Sequence, residues 1–181
     1  IDSLSMRTRL PKLNNQGLIG GVIYHDGQFD DTRLLISLIR SMEDHGGAGL
    51  NYCRVTGLLK NRYGKIEGVN VKPAESQQEF EIHASLVINA TGVFVDDVLR
   101  MDHAVIKRTI RPSQGIHLVF DQSFLSGSSA IMIPKTDDGR VLFAIPWYDR
   151  VVAGTTDTPV EMITLEPKAL ENEISFILHT A

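Results

Sequence analysis

Apolar positions recur along this chain with two different periods, and each change of period marks a new element. Leu34, Leu35, Leu38, Ile39 and Met42 follow Asp30 and Asp31 at helical spacing, and Gly46 comes after them. This predicts a helix over about 30–45, begun by an aspartate that accepts orphan N–H groups and ended by a glycine. The period then shortens. Gly49 to Leu59, Ile66 to Val71 and Phe80 to His83 read as strands, with turns at Asn61-Arg62-Tyr63-Gly64-Lys65 and over the polar stretch Lys72 to Gln78, so this part resembles an antiparallel meander. Leu86 to Ala90 is a continuous apolar run, too short for a helix and suited to a strand buried on both faces. Thr91-Gly92 closes that run, and Val95, Val98, Leu99 and Met101 support a short helix after it.

On either side the pattern is less regular. Ile1 to Gly21 has no clear period and reads as a loop or short helix, and a chain that opens on Ile without an initiator Met suggests a fragment. Gly20 to Gly27 predicts a strand ending in an Asp-Gly turn. Downstream, Arg111-Pro112 marks a break, because the proline ring disfavours helix at the preceding residue. Gly115 to Asp121, Ala130 to Pro134, Arg140 to Pro146 and Val151 to Thr155 are strand-like runs divided by turn chemistry such as Asp137-Asp138-Gly139 and Asp149-Arg150. Their close succession implies antiparallel pairing. From Glu166 onward Leu170, Ile174, Ile177 and Leu178 predict a last helix. The class that follows is α+β, a mixed, largely antiparallel sheet flanked by helices, with the helix near 30–45 covering one face.

Composition narrows the functions open to such a fold. The chain has 181 residues, of which 43% are hydrophobic, enough to build a core. A net charge of -4 with no basic cluster argues against a nucleic-acid surface. The single Cys53 has no partner for a disulfide and reads as a strand residue filling space. No apolar run is long enough to span a bilayer. Histidines at 25, 45, 83, 103, 117 and 179 show no metal-ligand spacing, so no metal site is expected. Gly17-Leu18-Ile19-Gly20-Gly21 is not a dinucleotide fingerprint, and Gly46-Gly47-Ala48-Gly49 follows a helix and precedes a strand, the reverse of what a pyrophosphate needs.

Three places carry candidate chemistry. Ligands of open α/β sheets sit beyond the carboxyl ends of strands, which puts Thr91 and Gly92 where a phosphate or ribose could lie; a plain strand-turn-helix explains them equally. His117 shares a strand face with Val119 while Ile116 and Leu118 face the other way, and an imidazole is suited to acid/base work, although a lone strand histidine also suits a structural role. Gly154-Thr155-Thr156-Asp157 puts two hydroxyls and a carboxylate at a strand end, able to bond a polar substrate or to cap a turn.

In order, Tyr24-His25-Asp26-Gly27 with Asp31-Thr32-Arg33-Leu34, Val87-Ile88-Asn89-Ala90-Thr91-Gly92, Ile110-Arg111-Pro112-Ser113-Gln114-Gly115-Ile116-His117, Asp138-Gly139-Arg140-Val141-Leu142-Phe143 with Ile145-Pro146-Trp147, and Gly154-Thr155-Thr156-Asp157 resemble the FAD-dependent glycerol-3-phosphate dehydrogenases. The resemblance implies an internal piece of a flavoprotein that oxidises sn-glycerol 3-phosphate to dihydroxyacetone phosphate by hydride transfer to FAD, with electrons passed on to quinone or oxygen. It implies that residues 1–84 begin the substrate domain, that 85–102 hold the last strand and helix of a Rossmann-like FAD domain, and that 103–181 carry the substrate-binding sheet. By the same resemblance Thr91 and Gly92 lie near the flavin, and Val55 meets the adenosine end through its main chain. His117 faces the substrate hydroxyl and Thr155 helps hold the substrate.

A dianionic phosphate needs paired cationic donors, for which this segment offers scattered residues such as Arg111 and Arg140. Gln114 departs from the family, many of whose members carry lysine there. The glycine-rich fingerprint and the further arginine segments are expected outside this stretch, so the piece alone is expected neither to retain FAD nor to turn over. The resemblance also implies a cytoplasmic location with peripheral contact at the inner face of a membrane, and it leaves a homodimer open. Two other readings fit the residues: a related FAD-dependent amine or 2-hydroxy acid oxidoreductase, and a non-catalytic α/β binding module.

Overall fold

In a computed structural model, which describes residues 1–76, 78–136 and 139–181, the chain runs α1 (Ser3–Arg9), α2 (Asp31–Asp44), β1 (Cys53–Lys60), β2 (Ile66–Pro73), β3 (Phe80–His83), a 3-10 turn (Gly92–Phe94) into α3 (Val95–Asp102), β4 (Ser113–Gln114), β5 (His117–Asp121), a second 3-10 turn (Gln122–Phe124), β6 (Ile131–Ile133), β7 (Leu142–Trp147), β8 (Arg150–Gly154), β9 (Thr158–Pro159) and α4 (Glu171–Thr180). Every ladder is antiparallel. Asp137 and Asp138 of the expected turn lie outside the described residues, as does Gln77. The elements fall into two compact units, Asp26–Ile110, and Ile1–His25 with Arg111–Ala181.

In the unit Asp26–Ile110, α2 forms where its caps demand. The Asp30 carboxylate accepts the Arg33 N–H at 2.9 Å, and Gly46 leaves the helix at φ +82° while the Gly47 N–H closes onto the Met42 carbonyl. The helix does not cover a sheet face, however, because all of its residues are exposed. An amphipathic stripe reveals that a face is made to be buried, not what buries it. The expected meander is present as β1-β2-β3. Asn61 sets its first turn by accepting the N–H groups of Tyr63 and Lys65, and Gly64 supplies the positive φ. Leu86 to Ala90 pairs with no strand among the described residues, and Leu86 and Ile88 are exposed, as fits a strand without parallel neighbours.

The other unit is built on the sheet β5-β8-β7-β6. One face presents Leu142, Ala144, Val151 and Ala153, all buried, to Ile177 of α4 and to Leu10 and Leu125, with Phe120 stacked on Phe124 at 4.4 Å. The predicted strand over Gly20 to Gly27 does not form. Gly20 makes a single bridge to Asp2, the N-terminal ammonium and the Gly21 N–H exchange bonds with Gly21 and Ile1 carbonyls, and Val22 beyond is exposed. The last helix begins at Glu171, later than expected, since Pro167 disfavours helix at Glu166 and Leu170 is still extended at φ -90°, ψ 148°.

Candidate active site

The pairing of β5 with β8 places His117 opposite Gly154, and Val119 opposite Val152. Directly paired residues share a face, so these stand on the side of the sheet away from the core. Phe143 and Ile145 of β7 and Met132 of β6 continue that outer face, and Tyr24 reaches it by donating its hydroxyl to the Met132 sulfur at 3.4 Å. The result is an apolar surface with an exposed imidazole at one end. Thr155 is exposed directly after β8.

Two glycines let these chain ends approach. A Cβ on Gly154 would lie 2.7 Å from the His117 ring, and one on Gly115 would lie 2.5 Å from the Thr155 hydroxyl, so a side chain at either position would push the segments apart. Beneath them sits Glu173, buried, whose carboxylate accepts the Gln114 side-chain amide at 2.8 Å, the Thr156 hydroxyl at 3.1 Å and the Leu170 N–H at 2.9 Å. The Thr156 hydroxyl in turn accepts the Ile116 N–H at 3.0 Å. Burial pushes the Glu173 carboxyl up, but the donors from Leu170, Thr158, Gln114 and Thr156 together outweigh it and hold the group below the usual carboxylate range.

In the unit Asp26–Ile110 the turn after Ala90 is organised by Asn89. Its side-chain oxygen accepts the Thr91 hydroxyl at 2.7 Å and the Thr91 N–H at 3.3 Å, and its amide donates to the Val95 carbonyl at 3.0 Å. Gly92 takes φ +56° with nothing within 4 Å of where a Cβ would stand, so open space lies beside a backbone that only glycine adopts freely. Asp96, buried in the first turn of α3, accepts the Thr109 hydroxyl and the Thr109 N–H. The Thr109 hydroxyl above all holds its carboxyl below the usual range. Val55 is half-buried in β1 beside a bulge, since Val55 pairs with Val71 and Gly57 with Asn70, leaving Thr56 as the extra residue.

The sequence matches the family described as FAD dependent oxidoreductase over residues 1–181. The chain belongs to that family. It is 38% identical over 177 residues to the mitochondrial glycerol-3-phosphate dehydrogenase of Schizosaccharomyces pombe, a match covering 93% of this chain and 27% of that protein. It is 38% identical over 174 residues to the human mitochondrial glycerol-3-phosphate dehydrogenase, covering 93% and 24% respectively. The solved structure of the glycerol-3-phosphate dehydrogenase of Bacillus halodurans, complexed with FAD, superposes with a TM-score of 0.92 at 31% identity, over 99% of this chain and 36% of that one. The chain thus spans about a quarter of the length of these curated relatives.

Within this FAD-dependent oxidoreductase segment, the residues fit a bound flavin nucleotide locally. Gly92 offers approachable backbone, and the bulge after Val55 interrupts the ladder where a main-chain contact is expected. The structure brings His117 and Thr155 to adjoining chain ends and puts Arg140 elsewhere, its guanidinium 4.3 Å over the Phe176 ring of α4, the helix on the core side. Arg111 is exposed. Glu173 and Asn89 are polar residues that sequence reasoning missed. Only Asn89 left a local signal, an Asx residue two positions before a threonine at a turn.

Proposed function

We propose that the protein carrying this chain oxidises sn-glycerol 3-phosphate at C2 to dihydroxyacetone phosphate, using FAD, and passes the electrons to quinone or oxygen. The observation that carries this reading is the adjoining of exposed His117 and Thr155 at the end of an open apolar sheet face, in a chain alike along its whole length to glycerol-3-phosphate dehydrogenases. FAD, when bound, supplies the redox chemistry. His117 acts as the base that takes the proton of the substrate hydroxyl through its imidazole. Thr155 bonds the substrate through its hydroxyl. Thr91 and Gly92 lie near the flavin, and the Val55 main chain meets the adenosine end.

Residues 85–102 belong to the cofactor domain and the remainder to the substrate domain. The chain by itself neither retains FAD nor turns over. Quinone as acceptor implies peripheral contact with the inner face of a membrane; among the described residues no helix is long and apolar enough to cross one. In the complete flavoprotein, His117→Asn is expected to lower turnover of glycerol 3-phosphate about 10²-fold or more while the flavin absorbance is kept. Turnover equal to that of the parent would refute the assignment. Faster bleaching of the parent flavin by an amino acid or a 2-hydroxy acid than by glycerol 3-phosphate would transfer the site to those substrates.

A further inference from the structure

We infer that Glu173 is a positioning residue for this reaction, fixing the backbone beside His117 and beside Thr155 through one buried carboxylate. The inference rests on the functional reading above. Glu173 is a carboxylate with almost no solvent contact, held by main-chain and neutral side-chain donors. Such a group is tolerated only when its oxygens are bonded, and its donors come from three separate stretches, Gln114 in β4, Thr156 and Thr158 after β8, and Leu170 before α4.

The first two stretches are those that lead into His117 and out of Thr155. Oε1 accepts the Thr156 hydroxyl, and that hydroxyl accepts the N–H of Ile116, the residue next to His117. Oε2 accepts Gln114, two residues before Ile116, and Gln114 also donates to the Lys168 carbonyl at 3.1 Å. Because β4 pairs Gln114 with Thr158, the same two segments are also tied by main chain. The hydroxyl of Thr155 lies where a Cβ on Gly115 would fall, so the segments touch and have no slack. Moving the carboxylate therefore moves both reacting ends. A Gln in its place keeps the shape but turns one acceptor into a donor facing donors. This network includes Gln114, whose donor to Glu173 is a neutral amide.

The test uses the complete, flavin-loaded enzyme. Glu173→Gln is expected to lower kcat about 10-fold or more with KM changed by less than about threefold, the pattern of a lost transition-state alignment. In the His117→Asn background the same change is expected to cost less than about twofold, because residues acting through one another are non-additive. Amide exchange at Ile116 should quicken in Glu173→Gln, a readout independent of turnover. If that variant does not fold, Thr156→Val should reproduce the loss and Thr156→Ser, which keeps the hydroxyl, should restore it. Equal losses in both backgrounds, unchanged exchange at Ile116, or equal behaviour of the Val and Ser variants would overturn the inference. A His117→Asn enzyme that turns over like the parent would overturn the functional reading itself, and is told apart because Ile116 exchange would still respond to Glu173→Gln.

Discussion

The two faces of the β5-β8-β7-β6 sheet are built from the same kinds of side chain and meet opposite fates. On one, Leu142, Val151 and Ala153 are sealed beneath α4; on the other, Val119 is 65% exposed and Met132 39% exposed. A sheet that met only water on its second face would alternate apolar with polar residues. Here the middle of the second face is apolar too, with His117 at one end and the Asp121–Arg150 pair at the other. The difference teaches that burial within a chain and readiness to be covered are separate properties. The first identifies the core, and the second identifies the surface on which a flat, largely apolar group can rest.

The largest expected effect lies on the sealed face. Leu142→Ala should destabilise the chain by about 2–5 kcal/mol, read as a lower denaturant midpoint with unchanged slope. A loss below about 1 kcal/mol would show that this face is not the closed one. Next comes acid. The folded-state pKa of Glu173 is lowered, so its contribution is complete above the usual carboxylate value and is lost as pH falls through the lowered one. Denaturation midpoints measured from neutral pH downward should hold steady and then drop below about pH 4, less steeply in Glu173→Gln. Parallel acid limbs would mean that the carboxylate is not held ionised. The smallest effect is on the open face, where Val119→Ser should change stability by no more than about 0.5 kcal/mol. A change as large as that of Leu142→Ala would erase the distinction between the faces.

Much of this was legible along the chain because the physics that fixes it is local. Asp30 and Gly46 bound α2 to within a residue, and the Asn61 turn announces the β1-β2 hairpin. The alternation about His117 put it on the face opposite Leu118, as the structure does. What could not be read depends on partners far away in sequence. The stripe of α2 looks the same whether covered or bare. Gly20 to Gly27 has strand-forming residues but only one bridge to make. Glu173 reads as an ordinary helix residue until Gln114 and Thr156 arrive from earlier in the chain.

β5 is an edge strand, bonded among the described residues to β8 alone, while β6, β7 and β8 follow one another in antiparallel pairs. Closing β5 onto β8 spans a longer loop than either of those pairs and carries the greater entropic cost. Of the two edge strands, β5 and β6, the one closed at the greater entropic cost is therefore the one that bears the imidazole. Fraying at this border would switch off chemistry while three strands persist, so catalytic competence is a more sensitive gauge of local opening than any probe of overall secondary structure.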